Sequence, residues 1–531
     1  MRNNTIIRQV FILVILALFL RILNFSFPAF TTDEARIAFR GYELYQNGVD
    51  ELGRKFPFLF NSLDDYQLPV VSYISALGAG IFVKSELAAR IPFVTIGLIL
   101  VLLTYKVATQ LSNEKSFPII SALVVATSPV LIFVSKVPNE YIVVATLLLL
   151  LFYLLNKDRL NLILIIFTIV LLFLTSKLSW FISMPFVLYT IFIYRNTLSK
   201  KDKFKLSLIS LIFTILAFAF FLQIPQGTRS LSENNLSLFS DISIKNGINW
   251  IRGQGLESGW PPLLERILIS KAFFFPIGIL HWLSNIQPSV LFSQFSKDGN
   301  LGFAGMGAFP KVTIIPFLMG LIFLIRDRKS KLLLYPVVII LPAALIYPQL
   351  SPRIVILTLP FISFVIAFGF LQVKKILGRL IIIFIVLELL INFLFLSLQI
   401  KLTDELRPYW VKPIVQDAFK LSNTDQVLIS DDFAQDLAPF IEWYTPFISQ
   451  TAFLNSRYPY KFHQTNLGNI KLIGFSDSFK ACDSGEKSKL FLSKRDFDRA
   501  KKFISDNVAR TYLNSKGLAV VYFMEDRGCI I

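Results

Sequence analysis

The stretch from Val10 to Phe27, VFILVILALFLRILNFSF, followed after three residues by Thr31-Thr32-Asp33-Glu34-Ala35-Arg36, decides how this chain is read. The apolar run is long enough to cross a bilayer, and Arg2 and Arg8 precede it. Carboxylates and arginines held against a membrane surface have little reason to be there unless they bind or react with something.

The rest of the sequence agrees with a lipid solvent. Of 531 residues, 54% are hydrophobic, and the mean hydropathy is +0.62, beyond what a soluble protein of this size carries. The net charge of +18 would suggest nucleic acid in a soluble protein. Here basic loops that orient spans account for it, and no nucleic-acid partner is expected. The two cysteines, Cys482 and Cys529, and the two histidines, His281 and His463, form no cluster with metal-ligand spacing. The first apolar run is long for the core of a cleavable signal, and no small-residue cleavage site follows it.

Apolar runs give about eleven spans, near 10–27, 91–108, 118–134, 141–155, 160–176, 180–194, 206–222, 312–325, 332–347, 354–371 and 380–400. The run from Pro69 to Val83 is shorter, begins with proline and contains Gly78 and Gly80, so it reads as an interfacial or re-entrant helix. With the N-terminus inside, every inner connection is basic. Examples are Lys106 and Lys115, Lys157 and Arg159, Arg195 with Lys200 to Lys205, Arg326 to Lys331, and Lys374 to Arg379. The expected localisation is therefore the cell membrane, multi-pass, with a cytoplasmic N-terminus. Residues 28–90 and 223–311 become outer loops, the second polar from Gly227 to Asn235 and aromatic at Phe273, Phe274, Phe275 and Trp282.

The tail, 401–531, changes character. Runs at 426–430, 470–474 and 517–523 read as strands, and 434–444 and 497–508 as helices, giving a small exoplasmic α/β domain. The expected fold is thus an α-helical polytopic membrane protein, 1–400, with that domain appended. Cys482 and Cys529 both fall in it, and spacing alone leaves their pairing open.

Several polar residues fall on the outer face of this topology. Thr31 with Glu34 fits a capping box, and Asp33 or Glu34 also fits a general base at the interface. Arg36 and Arg40, with Glu43, extend the charged stripe. Glu140, after Pro138-Asn139, reads either as the solvated start of a helix or as a second carboxylate opposite Asp33. Lys177 either snorkels to lipid headgroups or holds a phosphate. Arg353, between prolines Pro348 and Pro352 and the next span, suits bidentate phosphate contact or headgroup anchoring. Asp65, in Leu63-Asp64-Asp65-Tyr66-Gln67-Leu68-Pro69, and Arg90, before Ile91-Pro92, fit turn chemistry or substrate contact equally. Asp33 with Glu140 is a pair that suits a hard divalent ion, so a metal is an open expectation. Acids and cations together at an interface suit a lipid-phosphate substrate.

At Asp33-Glu34-Ala35-Arg36, Arg90-Ile91-Pro92, Pro352-Arg353 and Leu359-Pro360 the chain resembles the GT-C type membrane glycosyltransferases. It looks most like bacterial relatives of protein O-mannosyltransferases and lipid A aminoarabinose transferases. The resemblance covers roughly residues 1–400. It implies a polyprenyl-phosphate-linked sugar as donor and a protein, lipid or glycan as acceptor. It also implies that Asp33 is the catalytic acid/base, Glu140 the second acid, and Lys177 and Arg353 the phosphate contacts. The chain departs from the family where a His or Lys followed by prolines is common, having Tyr66-Gln67-Leu68-Pro69-Val70 instead. A lipid-linked sugar flippase is the competing expectation, and a non-catalytic assembly protein the third. The apolar runs hold few mid-span charges, Glu388 chief among them, and show no repeated halves, which disfavours a transporter.

Overall fold

The computed structural model describes residues 2–23, 29–50, 53–62, 65–82, 84–157, 161–193, 199–223, 242–259, 261, 263, 288–295, 305–327, 330–344, 352–398, 409–430, 437–445, 465–467, 470–473, 488–500, 508–513 and 519–526. Cys482, Cys529, His281, His463 and most of 223–311 lie outside the described residues.

The chain opens with α1 (Arg2–Ile22) and α2 (Thr32–Asn47), a short hairpin β1 (Phe60–Ser62) and β2 (Asp65–Gln67), and α3 (Pro69–Ala79). A helical bundle follows: α4 (Glu86–Leu111), α5 (Phe117–Ala126), α6 (Pro129–Val134), α7 (Glu140–Leu155), α8 (Leu162–Thr175), α9 (Lys177–Ile193) and α10 (Lys200–Gln223). Then come α11 (Ile242–Glu257), α12 (Pro288–Phe292), α13 (Ile314–Arg326), α14 (Leu334–Ala344), α15 (Pro352–Val355), α16 (Leu359–Gln372) and α17 (Lys375–Leu398).

Polar caps set where the helices begin. Ser85, Asn139 and Asn161 each accept a backbone N–H three residues on, starting α4, α7 and α8. The expected span 118–134 is instead two helices. Ser128 caps α6, and Pro129, which has no N–H to continue α5, stands at its first position. Among the described residues, Glu86–Leu111 and Lys375–Leu394 are long and apolar enough to cross a membrane, and several apolar helices are shorter. The rim of the bundle is greasy: Phe11, Ile15 and Phe19 of α1, Ile163 and Phe167 of α8, Ile215 of α10, Ile322 of α13 and Ile383 of α17 are all exposed. Surfaces of that kind are stable against lipid and not against water.

The C-terminal elements are α18 (Val411–Leu421), β3 (Gln426–Ser430), α19 (Ala438–Tyr444), β4 (Thr465–Leu467), β5 (Ile470–Ile473), β6 (Ser488–Ser493), α20 (Lys494–Ala500), β7 (Val508–Leu513) and β8 (Ala519–Asp526). They form a six-stranded mixed sheet in the order β4-β5-β3-β6-β8-β7, with β3 parallel to both β5 and β6. The expected strands at 426–430, 470–474 and 517–523 are met, over the described residues, by β3, β5 and β8. Of the expected helix 497–508, residues 497–500 lie in α20 (494–500), 501–507 lie outside the described residues, and Val508 starts β7, paired with β8. Cross-strand pairing, which a local reading does not see, decided that segment.

Among the described residues, two hydrophobic cores result. The larger runs from Leu13 to Phe368 through the bundle. The smaller joins Phe30, Ala35, Ala38, Phe39 and Ala89 to Trp410, Ile414, Phe440, Ile441, Trp443 and Phe491. Helix α2 contributes to both, since Ile37 belongs to the larger.

Close approach holds α2, α3 and α4 together. A Cβ at Gly41 of α2 would come within 2.6 Å of Ser75 Cβ in α3, and one at Gly78 of α3 within 2.8 Å of Pro92 Cγ in α4. Gly41→Val or Gly78→Val is expected to cost about 1–3 kcal/mol through overpacking, read as a lower melting temperature of the purified protein. Gly253→Ala, where nothing stands within 4 Å of the added Cβ, is expected to leave the melting temperature unchanged or raised.

Candidate active site

The N-terminus of α2 separates its two acids by role. Thr31 is the N-cap with extended backbone, and its Oγ1 accepts the Glu34 N–H at 3.3 Å. Glu34 Oε2 accepts the Thr31 N–H at 3.0 Å, completing the capping box. Glu34 is only 7% exposed. The Asp33 side chain is 78% exposed and pairs with Arg36 at 3.4 Å, while Arg36 itself is 11% exposed. Of the two candidate bases, Asp33 is the one whose carboxylate is open to an incoming group. Both acids also favour the positive end of the helix dipole.

Further along α2, Arg40 is fully buried. It donates to Gln67 Oε1, and its guanidinium lies 5.0 Å from the Phe60 ring centroid. Gln67 stands just before α3, in the segment where the resembled family often carries a basic residue. The cation that reaches this point here comes from α2.

Arg90 is also fully buried, near the start of α4. Its Nη1 donates to the Lys136 carbonyl at 3.1 Å, its Nη2 to Glu86 Oε2 at 3.4 Å, and its guanidinium sits 4.6 Å over Phe30. These contacts tie Arg90 to the turn that leads into α2. Two cations that the sequence reading did not single out lie nearby. Arg21, buried at the end of α1, donates to Ser135 Oγ and to the carbonyls of Ala17 and Ala126. Its Nη2 is buried without a hydrogen-bond partner among the described residues. Lys136 Nζ donates to the Leu23 carbonyl at 2.6 Å. Cations at the ends of α1 and α5 meet the negative ends of those helix dipoles. Arg21 is the one charged residue inside the apolar run 10–27, and that is its only sequence signal.

Glu140 opens α7 and Lys177 opens α9, both partly buried. Because α8 runs back between them, the two N-termini share one end of the bundle. The same end holds Arg90, because Arg90 binds the carbonyl of Lys136, four residues before Glu140. Asp65 pairs through its backbone with Ser62 in the β1–β2 hairpin, and Arg353 lies in α15. The side chains of these two lie outside the described residues. Among the described residues no three of His, Cys, Asp and Glu gather as a metal centre. Asp33 and Glu140, the expected metal pair, sit at the starts of different helices.

Lys136 is nearly enclosed. Burial first, then the charges of Arg90 and Arg21, lower its pKa from 10.5 to about 8. An unfolded chain therefore binds more protons than the folded one between about pH 8 and 10.5, and this group's contribution to stability rises with pH across that window. Below it the charged ammonium costs up to about 3 kcal/mol. Comparing thermal unfolding of the wild type with Lys136→Met from pH 7 to 9.5 is expected to show the wild type gaining on the variant as pH rises. A gap that stays constant would refute this.

Residues 67–220 match the family model of dolichyl-phosphate-mannose-protein mannosyltransferases. The matched stretch opens at Gln67 and ends in α10, so it excludes Asp33. No curated protein matches the chain by sequence. ArnT from Cupriavidus metallidurans bound to undecaprenyl phosphate has a similar structure, with a TM-score of 0.53 at 10% identity over 98% of each chain. The apo state of the same protein aligns with a TM-score of 0.53 at 9% identity, again over 98% of each chain. At such identities the likeness is one of fold. In sequence over residues 67–220 and in fold along nearly its whole length, the chain resembles the GT-C type membrane glycosyltransferases.

Proposed function

We propose that this protein transfers a sugar from a polyprenyl-phosphate-linked donor to an acceptor hydroxyl on the outer side of the membrane, with inversion at the anomeric carbon. The observation that carries the reading is the open Asp33 carboxylate at the start of α2, beside Arg36 and clear of the capping duty that occupies Glu34. In this reading Asp33 takes the proton of the acceptor hydroxyl. The oxygen forms a bond to the anomeric carbon as the bond from that carbon to the phosphate oxygen breaks. The electron pair leaves with polyprenyl phosphate.

Cations then stabilise the charge that develops on the leaving phosphate. Lys177 is the first residue of α9. A helix N-terminus favours a bound anion, and a lysine there adds a charge-assisted donor to it. Arg353 supplies a planar fork for a second contact. Arg36 orients Asp33. Asp65 and Glu140 complete the proposed binding surface, with Glu140 toward the acceptor or an ion shared with Asp33. Undecaprenyl phosphate, bound by the ArnT structure, and the dolichyl-phosphate-mannose donor in the matched family's description support a phospho-isoprenoid substrate.

The topology belongs to the same proposal. About eleven spans, a cytoplasmic N-terminus and an exoplasmic domain over 401–531 agree with the basic inner loops. The placement of the second core against α2 adds support, because it sets the sheet domain at the end of the bundle where the site lies.

The test uses membranes carrying the wild type or Asp33→Asn, supplied with a panel of polyprenyl-phosphate-linked sugars. Transfer by the variant is expected to fall by about 10²–10⁴-fold with the folded yield retained. Unchanged transfer would remove Asp33 from this role, and no transfer from any donor by the wild type would overturn the reading as a whole.

A further inference from the structure

We propose that the C-terminal sheet domain is a working part of the site: its helix α19, through Trp443 and Tyr444, holds the turn that aims Asp33. This rests on the reading of Asp33 above for its kinetic consequence, and on geometry alone for its structural one.

Three sets of contacts join the sheet domain to α2 and to the neighbouring start of α4, and each includes a contact across more than 300 residues of chain. The first is aromatic. The Trp443 ring lies 6.2 Å from Phe30, tilted by 50°. Phe30 is one residue before the N-cap Thr31 and three before Asp33. Arg90 also bears on Phe30, at 4.6 Å. The backbone that presents Asp33 is therefore anchored by a buried side chain gripped by the α4 guanidinium and the α19 indole.

The second set meets at Glu86, in the first turn of α4. Lys412 Nζ donates to its Oε1 at 2.8 Å, and Tyr444 Oη donates to the same oxygen at 3.4 Å. Arg90 Nη2 takes Oε2. One carboxylate thus joins the sheet domain to the same arginine that covers Phe30. Lys412 also lies 5.5 Å from the Tyr444 ring, so the two donors support each other.

The third set runs along α2. Lys84 Nζ donates to the Thr445 carbonyl at 2.7 Å while lying 5.4 Å from the Phe39 ring and 5.1 Å from the Tyr42 ring. Beneath it, Ala35, Ala38 and Phe39 share a core with Leu437, Phe440 and Ile441. None of these residues needs to touch a substrate. Their arrangement gives α2 one seat on α3 and a second on α19, and the second governs the end that carries Asp33.

Hydrogen exchange on the intact protein separates this from general stabilisation. In Trp443→Ala, the amides of Asp33 to Arg36 are expected to exchange at least tenfold faster, with α7 and α16 in the bundle core unaffected. Trp443→Phe, which restores an aromatic partner for Phe30, is expected to bring the exchange back near wild type. Unchanged exchange at Asp33 to Arg36 in Trp443→Ala would overturn the proposal. So would faster exchange spread evenly through the bundle, which is the mark of a domain that only stabilises the fold.

The kinetic arm uses the same donor panel. Trp443→Ala is expected to lower kcat at least tenfold with the donor KM within twofold, and Trp443→Phe to recover most of it. A loss that merely follows the folded fraction would overturn the positioning role. If the wild type transfers from no donor, the proposed function fails while the exchange result still decides the structural claim.

Discussion

Helix α2 buries opposite faces in two cores, and the candidate site depends on that double seat. On one side Gly41 lets it press against α3, and Arg40 reaches Gln67 at the head of that helix. On the other side Ala35, Ala38 and Phe39 meet the sheet domain. A sixteen-residue helix rich in charge is marginal by itself in water and gains its stability from the faces it packs. Its capping box then fixes the first turn, and that turn carries both acids. One acid is used to build the helix and the other is left open.

Charge near the bundle's end is arranged in layers. Arg21, Arg40, Arg90 and Lys136 are buried or nearly so, in surroundings where an unpaired charge is expensive. Most of their described contacts are to carbonyls, an amide oxygen, a serine hydroxyl and aromatic faces, with Glu86 a shared carboxylate. They serve as interior fasteners between α1, α2, α4 and the α6–α7 turn. Asp33 and its partner Arg36 form the more open layer. Arg90's described contacts, to Phe30, Glu86 and the Lys136 backbone, are of this fastening kind.

Much of the local structure was readable in the residues. Thr31 and Glu34 stand at the spacing of a capping box, and both halves of that box form. Pro69 to Ala79 is a short helix, as its proline start and length implied. The strands at 426–430 and 470–473 appear in the sheet. Where the reading differed, the causes were of two kinds. The 118–134 run breaks at Ser128-Pro129 for a local reason, the proline's missing N–H and the serine cap, and the serine hydroxyl also donates to the Ala308 carbonyl 180 residues away. Val508, read as the last residue of a helix, starts the strand that pairs with β8, a long-range pairing that a local reading does not see.

The sequence by itself determined the solvent, the helical periods, the caps and which acids and cations stand at segment ends. Each of these depends on composition or on residues within about a turn of one another. Only the tertiary structure decided that Glu86 serves Lys412 and Tyr444, that Arg40 meets Gln67, that Arg21 and Lys136 close the end of the first helix, and that Trp443 lies on Phe30. Those contacts join residues from 27 to more than 300 positions apart. No local pattern encodes them, because what selects them is the burial of charge and aromatic surface once the helices and the sheet have packed.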